Sequence, residues 1–264
     1  MNRISSVFNN KKSAFITYLV CGDPDLQTTL KIMHSMVDNG VDLIELGIPF
    51  TDPIADGPTI QKGIERALKN KVSLNDVLNL VTKFRKKDKS TPIVLMGYMN
   101  PIINMGYKKF SKLAKFSGVD GLLIVDLPPE EADAVNIELK KNNISQIFLA
   151  SPTTEDKRLK TIIKYSSGYL YYVSLKGITG SSIADYQPIK KRINQIKKLS
   201  KNMIPVTVGF GIKTPDAARK ISMFSDGIII GSSIVELIEK NQKNKVLMYK
   251  KVNKFLRDIK SSLG

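Results

Sequence analysis

The chain has 264 residues, of which 42% are hydrophobic, and 41 lysines and arginines against 24 acidic residues give it a formal net charge of +17. This length fits one large α/β domain, and because no stretch has the composition of a linker we expect a single domain over residues 1–264. No apolar run approaches the ~20 residues that cross a bilayer, and residues 1–10 are too polar for a secretory signal. The single cysteine excludes an intrachain disulfide, so we expect a reducing, cytoplasmic location.

Eight short apolar runs alternate with amphipathic, lysine-rich segments along the chain. Most of the runs are apolar throughout, which is typical of parallel strands covered on both faces. The segments between them have helical spacing, as in residues 27–39 and 74–86, with stops predicted at Asn39-Gly40 and Asn70. The predicted strands are residues 15–20, 43–46, 93–96, 122–125, 147–150, 169–173, 205–208 and 227–230.

Two topologies fit this alternation, an open doubly wound sheet and a closed (β/α)₈ TIM barrel. Eight repeats and a length close to the ~250 residues of a typical barrel favour the closed form. Polar residues and glycines also follow the ends of the predicted strands, which is where barrel enzymes place their sites. We therefore predict a single (β/α)₈ barrel.

An acid inside the second apolar run is the first candidate for chemistry. Glu45 lies in the predicted strand, and Asp52 and Asp56 follow it in a loop with two prolines. A buried acid is costly unless it is paired, and it tends to have a shifted pKa, which marks functional positions. Glu45 and Asp56 can therefore share acid and base roles. The alternative is that the two aspartates only cap turns or a helix start.

Glycine-rich turns follow the last three predicted strands, at residues 177–180, 209–212 and 231–234. Glycines let backbone amides approach an anion, and a helix N-terminus adds free N–H groups. Because the loops after strands seven and eight commonly bind phosphate in barrels, these turns predict a phosphate site.

Several other chemistries are excluded or disfavoured. His34 is the only histidine, so a histidine-based triad and a multi-histidine zinc site are ruled out, and we place it on a helix surface. Cys21 is interpreted as a small packed residue. Neither GxGxxG nor GxxxxGK[ST] occurs, which disfavours dinucleotide and P-loop chemistry. Lys176 can be a Schiff-base lysine, but a solvated loop lysine is the simpler interpretation.

The segment Leu46–Pro58, with the sequence LGIPFTDPIADGP, resembles the signature of the tryptophan synthase α-subunit family. Residues 22–24, 96–101, 126–131 and the three glycine turns are also similar, and the resemblance covers essentially the whole chain. It implies a lyase that cleaves indole-3-glycerol phosphate to indole and glyceraldehyde 3-phosphate. It further implies an α₂β₂ complex with a β subunit that carries pyridoxal phosphate (PLP), and no cofactor or metal in this chain.

The resemblance also assigns residues to roles. It implies that Glu45 and Asp56 are catalytic, and that loops after strands two and six close over the substrate, with the Asp52–Pro53 region facing the β subunit. The chain departs from some relatives at Leu175-Lys176, where they carry an arginine, and at Tyr18, where they carry phenylalanine. The implied substrate-binding residues are Tyr18, Tyr98, Tyr171 and Thr179, and the implied phosphate-binding residues are Gly180, Gly211, Gly231 and Ser232.

Two rival functions remain at this stage. One is another phosphate-binding barrel enzyme, such as a sugar-phosphate isomerase or a Schiff-base aldolase. The other is a basic barrel that binds nucleic acid. The lysines are scattered without arginine clusters or interleaved aromatics, so we interpret the charge as a solvated surface and expect neither nucleic acid nor membrane as a partner.

Overall fold

The computed structural model describes residues 3–10, 13–174, 186–209 and 211–263, and these form a closed barrel of eight parallel strands. Each strand pairs with its sequence neighbours, and β1 closes the barrel against β8. The predicted (β/α)₈ topology is therefore confirmed, and the open sheet is excluded. The strands are β1 Ala14–Val20, β2 Leu43–Gly47, β3 Ile93–Gly97, β4 Gly121–Ile124, β5 Ser145–Ala150, β6 Leu170–Val173, β7 Val206–Gly209 and β8 Gly227–Ile230.

Helices surround the barrel, and the two predicted by periodicity are confirmed to within a residue. The helix after β1 ends at its C-cap Asn39, and the next ends at Asn70, as predicted. The described helices are α1 Arg3–Asn10, α2 Leu26–Asp38, α3 Pro58–Lys69, α4 Leu74–Arg85, α5 Met99–Met105, α6 Tyr107–Ser117, α7 Asp133–Lys141, α8 Asp156–Tyr165, α9 Gln187–Leu199, α10 Pro215–Ser222, α11 Ser232–Asn241 and α12 Lys245–Ser262, with a short 3₁₀ turn at Pro129–Glu131. In these described ranges no helix is long and apolar enough to cross a membrane.

Side chains alternate between the barrel interior and the helix layer. At β6, Tyr169 just before the strand and Tyr171 within it belong to the inner cluster, whereas Leu170 and Tyr172 pack in the outer one. This alternation explains why the strands read as continuous apolar runs, since both faces are buried. It also means that an acid at an inner position, such as Glu45, must lie in the middle of the barrel.

Helix α1 covers the amino end of the barrel. Ile4 is fully buried within the inner cluster. Arg3 donates to Asp120 at 2.8 Å, and Arg85 reaches the other oxygen of the same carboxylate at 2.8 Å. Asp120 also accepts from the amide of Ile93 at 2.9 Å, so one buried carboxylate joins α1, α4 and the start of β3. This carboxylate therefore ties helix α1 across part of the amino end of the barrel.

Candidate active site

Glu45 is fully buried on the inner face of β2. Its Oε1 accepts a 2.6 Å hydrogen bond from the hydroxyl of Tyr169, and its Oε2 has no partner among the described residues. Burial raises the pKa of this carboxyl from 4.5 to about 7, while the Tyr169 hydrogen bond acts in the opposite direction. Glu45 can therefore both give and take a proton close to neutral pH.

Asp56 lies in the loop after β2, and its carboxylate is bound by a residue at the end of the neighbouring strand β3. The hydroxyl of Tyr98, directly after β3, donates to Asp56 Oδ2 at 2.7 Å and accepts from the amide of Ala55 at 3.0 Å. Phe50 stacks on the Tyr98 ring with centroids 5.3 Å apart. Burial raises the pKa of Asp56, and the Tyr98 hydrogen bond partly opposes this shift. Tyr98 thus fixes both the loop backbone and the carboxylate.

The capping alternative for Asp56 does not hold. Helix α3 begins at Pro58 with Gly57 as its N-cap, and no side chain caps it. The backbone carbonyl of Asp56 accepts from Gln61 at 2.9 Å, while the carboxylate turns to Tyr98 instead. Asp52 differs, because it is exposed and bonds to the hydroxyl of Thr51.

Tyr18 and Tyr171 line the interior next to the two acids. Tyr18 lies on β1 in register with Glu45, and Tyr171 lies on β6. Both are almost fully buried, and burial together with the charges of Asp56 and Glu45 raises their pKa values well above the usual range. Their hydroxyls therefore remain protonated at any ordinary pH. The structure thus brings the predicted residues Glu45, Asp56, Tyr18, Tyr98 and Tyr171 into one region of the barrel.

The predicted phosphate residues in the described ranges lie at the carboxyl ends of the last two strands. Gly211 follows β7 with a positive φ of 82°, a conformation that favours glycine. Gly231 follows β8 as the N-cap of α11, and Ser232 is the first residue of that helix. The first amides of a helix lack partners within it and point outward, so they suit an anion. Thr179, Gly180 and Lys176 lie outside the described residues, as does the segment 175–185 as a whole.

Cys21 and His34, the other residues considered in the sequence, pack against neighbouring side chains. Cys21 is fully buried, as predicted, and burial raises the pKa of its thiol. His34 is half-buried and stacks on Phe84 with ring centroids 4.9 Å apart, so the helix surface on which it was predicted is partly covered. Helix α4 packs against α2 and covers the imidazole, which the sequence pattern of α2 alone does not reveal. In the ranges that the structure covers, no group of three or more potential metal ligands occurs.

Tyr169 is the site residue that the sequence did not single out. It lies just before β6, and its side chain crosses the barrel interior to reach Glu45 on β2. Its position two residues before Tyr171, on the same face of one strand, was the available indication. Only the closed barrel shows that this face meets Glu45.

A (β/α)₈ barrel with a buried acid in its interior and a glycine at the helix N-terminus after β8 has the arrangement that is typical of barrel enzymes. A sequence model of the tryptophan synthase alpha chain family matches residues 4–263. A tryptophan synthase alpha chain of Nitrosomonas europaea is 51% identical over 243 residues, which cover 90% of this chain and 88% of the relative. One of Neisseria meningitidis serogroup B is 47% identical over 260 residues, covering 98% and 99% of the two chains.

Solved structures give the same result. Tryptophan synthase subunit alpha from Legionella pneumophila str. Paris superimposes with a TM-score of 0.92 at 40% identity, covering 100% of this chain and 98% of that one. A chain of the tryptophan synthase complex from Pyrococcus furiosus has a TM-score of 0.85 at 36% identity, with 94% and 98% coverage. The chain belongs to the tryptophan synthase alpha chain family. It is a lyase that cleaves indole-3-glycerol phosphate in tryptophan biosynthesis, and it has a β-subunit partner, to which the PLP of the complex belongs.

Proposed function

We propose that Glu45 is the acid and then the base of the carbon–carbon bond cleavage. The supporting observation is a fully buried carboxyl whose pKa is raised to about 7 and which has one oxygen free of partners among the described residues. In its protonated form, Glu45 delivers a proton to indole C3, which breaks the aromaticity of the ring. The resulting carboxylate removes the proton from the adjacent side-chain hydroxyl. The O–H electrons form the aldehyde C=O bond, the C–C bond breaks, and its electrons restore the indole ring.

Asp56 has a different role in this proposal. Its carboxylate accepts a hydrogen bond from the indole N1–H and stabilises the positive charge that develops on the ring when C3 is protonated. Tyr98 holds one carboxylate oxygen at 2.7 Å and fixes the adjoining amide of Ala55, which supports this orientation. The aromatic side chains of Tyr18, Tyr98 and Tyr171 bound the space for the indole.

Phosphate anchoring supplies the remaining binding energy. We assign it to Gly211, Gly231 and Ser232, together with Gly180, and assign a loop-positioning role to Thr179. Binding energy from the phosphate lies remote from the reacting bond, so it can be used to orient the substrate. The N-terminus of α11 after β8 is the described feature that supports this assignment.

The carboxyl end of the barrel is also the surface that we assign to the β subunit. Ile54, after β2, and Ile103, on α5 after β3, are 85% and 56% exposed. Large exposed apolar side chains in the loops at the carboxyl end of the strands are candidates for an interface. Asp52 and Pro53 adjoin them in the same loop. In this proposal one domain over residues 1–264, with no cofactor of its own, joins an α₂β₂ complex in the cytoplasm.

The decisive experiment measures indole formation from indole-3-glycerol phosphate by the purified chain and by Glu45→Gln. We expect the variant to lose cleavage by a factor on the order of 10² to 10⁴ while it still binds glycerol phosphate. Glu65→Gln, at an exposed position on α3, is the matched control and should retain wild-type turnover. Near-normal turnover in Glu45→Gln would overturn the assignment. A borohydride-trapped adduct on Lys176 would support the aldolase alternative instead.

A further inference from the structure

Four tyrosines surround the two acids, and two of their hydroxyls form hydrogen bonds to those acids. Tyr98 bonds to Asp56 and Tyr169 bonds to Glu45. The hydroxyls of Tyr18 and Tyr171 make no hydrogen bond to any residue that the structure describes, although the two side chains are only 7% and 5% exposed. A hydroxyl without a protein partner at the tip of a largely buried side chain leaves its hydrogen bond to a ligand or to water.

The Tyr18 ring spans the interval between the predicted phosphate site and the end of β2. A Cβ added to Gly231 would lie 3.0 Å from Cβ of Tyr18, at the base of its side chain. A Cβ added to Gly47 would overlap the Tyr18 hydroxyl oxygen, at the other end of the side chain. Glycine is therefore required at Gly47 so that the hydroxyl can reach this position. Tyr18 is also the β1 residue in register with Glu45.

The electrostatic surroundings determine what this hydroxyl can do. Burial and the negative charges of Asp56 and Glu45 raise the pKa of Tyr18 far above its usual range. The phenol therefore stays neutral and keeps its proton throughout the working pH range. It is a hydrogen-bond donor between the phosphate cradle and the catalytic acid.

We propose that the Tyr18 hydroxyl donates a hydrogen bond to a hydroxyl oxygen on the three-carbon chain of the substrate. This inference rests on the proposed function. A phosphate held at Gly231 leaves the three-carbon chain running towards Glu45, which is the interval that the Tyr18 ring covers. Phenylalanine at this position would leave the chain hydroxyl without that donor, so Tyr18 is a positioning residue for the hydroxylated part of the substrate.

The test compares two ligands that differ only in the hydroxyls of the chain. Indole-3-glycerol phosphate and 3-(indol-3-yl)propyl phosphate are titrated against Glu45→Gln with and without Tyr18→Phe, so that the substrate is not consumed. We expect Tyr18→Phe to weaken binding of the hydroxylated ligand about threefold to tenfold, and to leave binding of the propyl ligand within about twofold. Tyr172→Phe, on the outer face of β6, is the control and should change neither constant.

The outcomes separate this inference from the proposed function. Equal losses of affinity for both ligands would show that Tyr18 acts only by packing. No loss for either ligand would show that its hydroxyl makes no contact. Either result would overturn the inference. Absence of indole formation by the wild-type chain, measured beforehand, would overturn the proposed function instead. If Glu45→Gln binds neither ligand, the phosphate site and the Tyr18 contact are both wrong.

Discussion

The hydroxyl of Tyr169 lies 2.6 Å from Oε1 of Glu45, although the two residues are 124 positions apart in sequence. This contact crosses the barrel interior from the start of β6 to the middle of β2. Burial raises the pKa of Glu45 to about 7, and the hydrogen bond from Tyr169 limits that rise because it stabilises the charged form. The pair therefore gives a buried carboxyl whose pKa lies close to neutral pH, which suits the acid-then-base role proposed for Glu45.

Removing the Tyr169 hydroxyl should shift the pH dependence of catalysis. In Tyr169→Phe the carboxylate of Glu45 loses a donor, so its pKa rises. In the proposed mechanism Glu45 acts first in its protonated form, so activity should fall as pH increases through this pKa. We expect the alkaline limb of kcat/KM for indole formation to move to higher pH in the variant. Tyr172→Phe, whose side chain leaves the same strand on the opposite face, should keep the wild-type profile. If the alkaline limb does not move, it does not report the ionisation of Glu45.

The same carboxyl should make the folded state less stable as pH rises. The pKa of Glu45 is about 7 when folded against 4.5 for the unperturbed group, so the folded state binds this proton more tightly. The contribution is fully present below pH 4.5 and is lost as pH rises through about 7. We expect the stability of the wild type relative to Glu45→Gln to fall by about 3 kcal/mol across this window. Urea unfolding of both chains at pH 4.5 and pH 8 measures the difference, and parallel curves would contradict it.

Tyr98 should control the order of the loop after β2. Tyr98→Phe removes the donor to Asp56 and the acceptor for the amide of Ala55. We expect faster hydrogen exchange in residues 52–57 and a loss of about tenfold in kcat/KM, because a hydrogen bond to a charged group is lost. Exchange measured by mass spectrometry, with Tyr107→Phe on α6 as control, tests this. Unchanged protection of the loop would show that the prolines alone hold it.

Ile103 should contribute to the interface with the β subunit. It is 56% exposed on α5, at the end of the barrel where the strands terminate. We expect Ile103→Ser to weaken association with the β subunit about tenfold, measured by titration calorimetry, while the lyase activity of the isolated chain is unchanged. Phe116→Ser is the matched control, because Phe116 is 86% exposed near the C-terminus of α6, at the opposite end of the barrel. An equal loss in both variants would mean that the interface does not lie at the mouth.

The barrel could be predicted because its strands are buried on both faces and therefore read as apolar runs. The exceptions show the limit of that criterion. Strand β5 begins at Ser145 and Gln146, two buried polar residues, and the amide of Gln146 donates to the Ser167 hydroxyl. Strand β7 begins one residue later than predicted, after Pro205, which has no amide to donate. Polar residues that are buried by tertiary packing cannot be recognised as strand residues from composition.

The candidate site likewise contains residues that the sequence could single out and residues that it could not. Glu45 could be recognised because an acid in an apolar strand is unusual, and Asp56 because its loop resembles a family signature. The partners of both acids could not be recognised. Tyr169 and Tyr98 reach them across strands whose relative positions depend on the closure of the barrel. Sequence therefore identifies candidate acids better than it predicts the neighbours that contact them.

The carboxylate of Asp120, bound by Arg3 and Arg85, ties helix α1 across the amino end of the barrel. In the proposed function, the substrate enters and both products leave at the opposite end, where the strands terminate. A β subunit bound at that end would leave glyceraldehyde 3-phosphate and indole to depart through the same opening. The contacts at this interface would then determine which product is released to solvent and which passes to the β subunit.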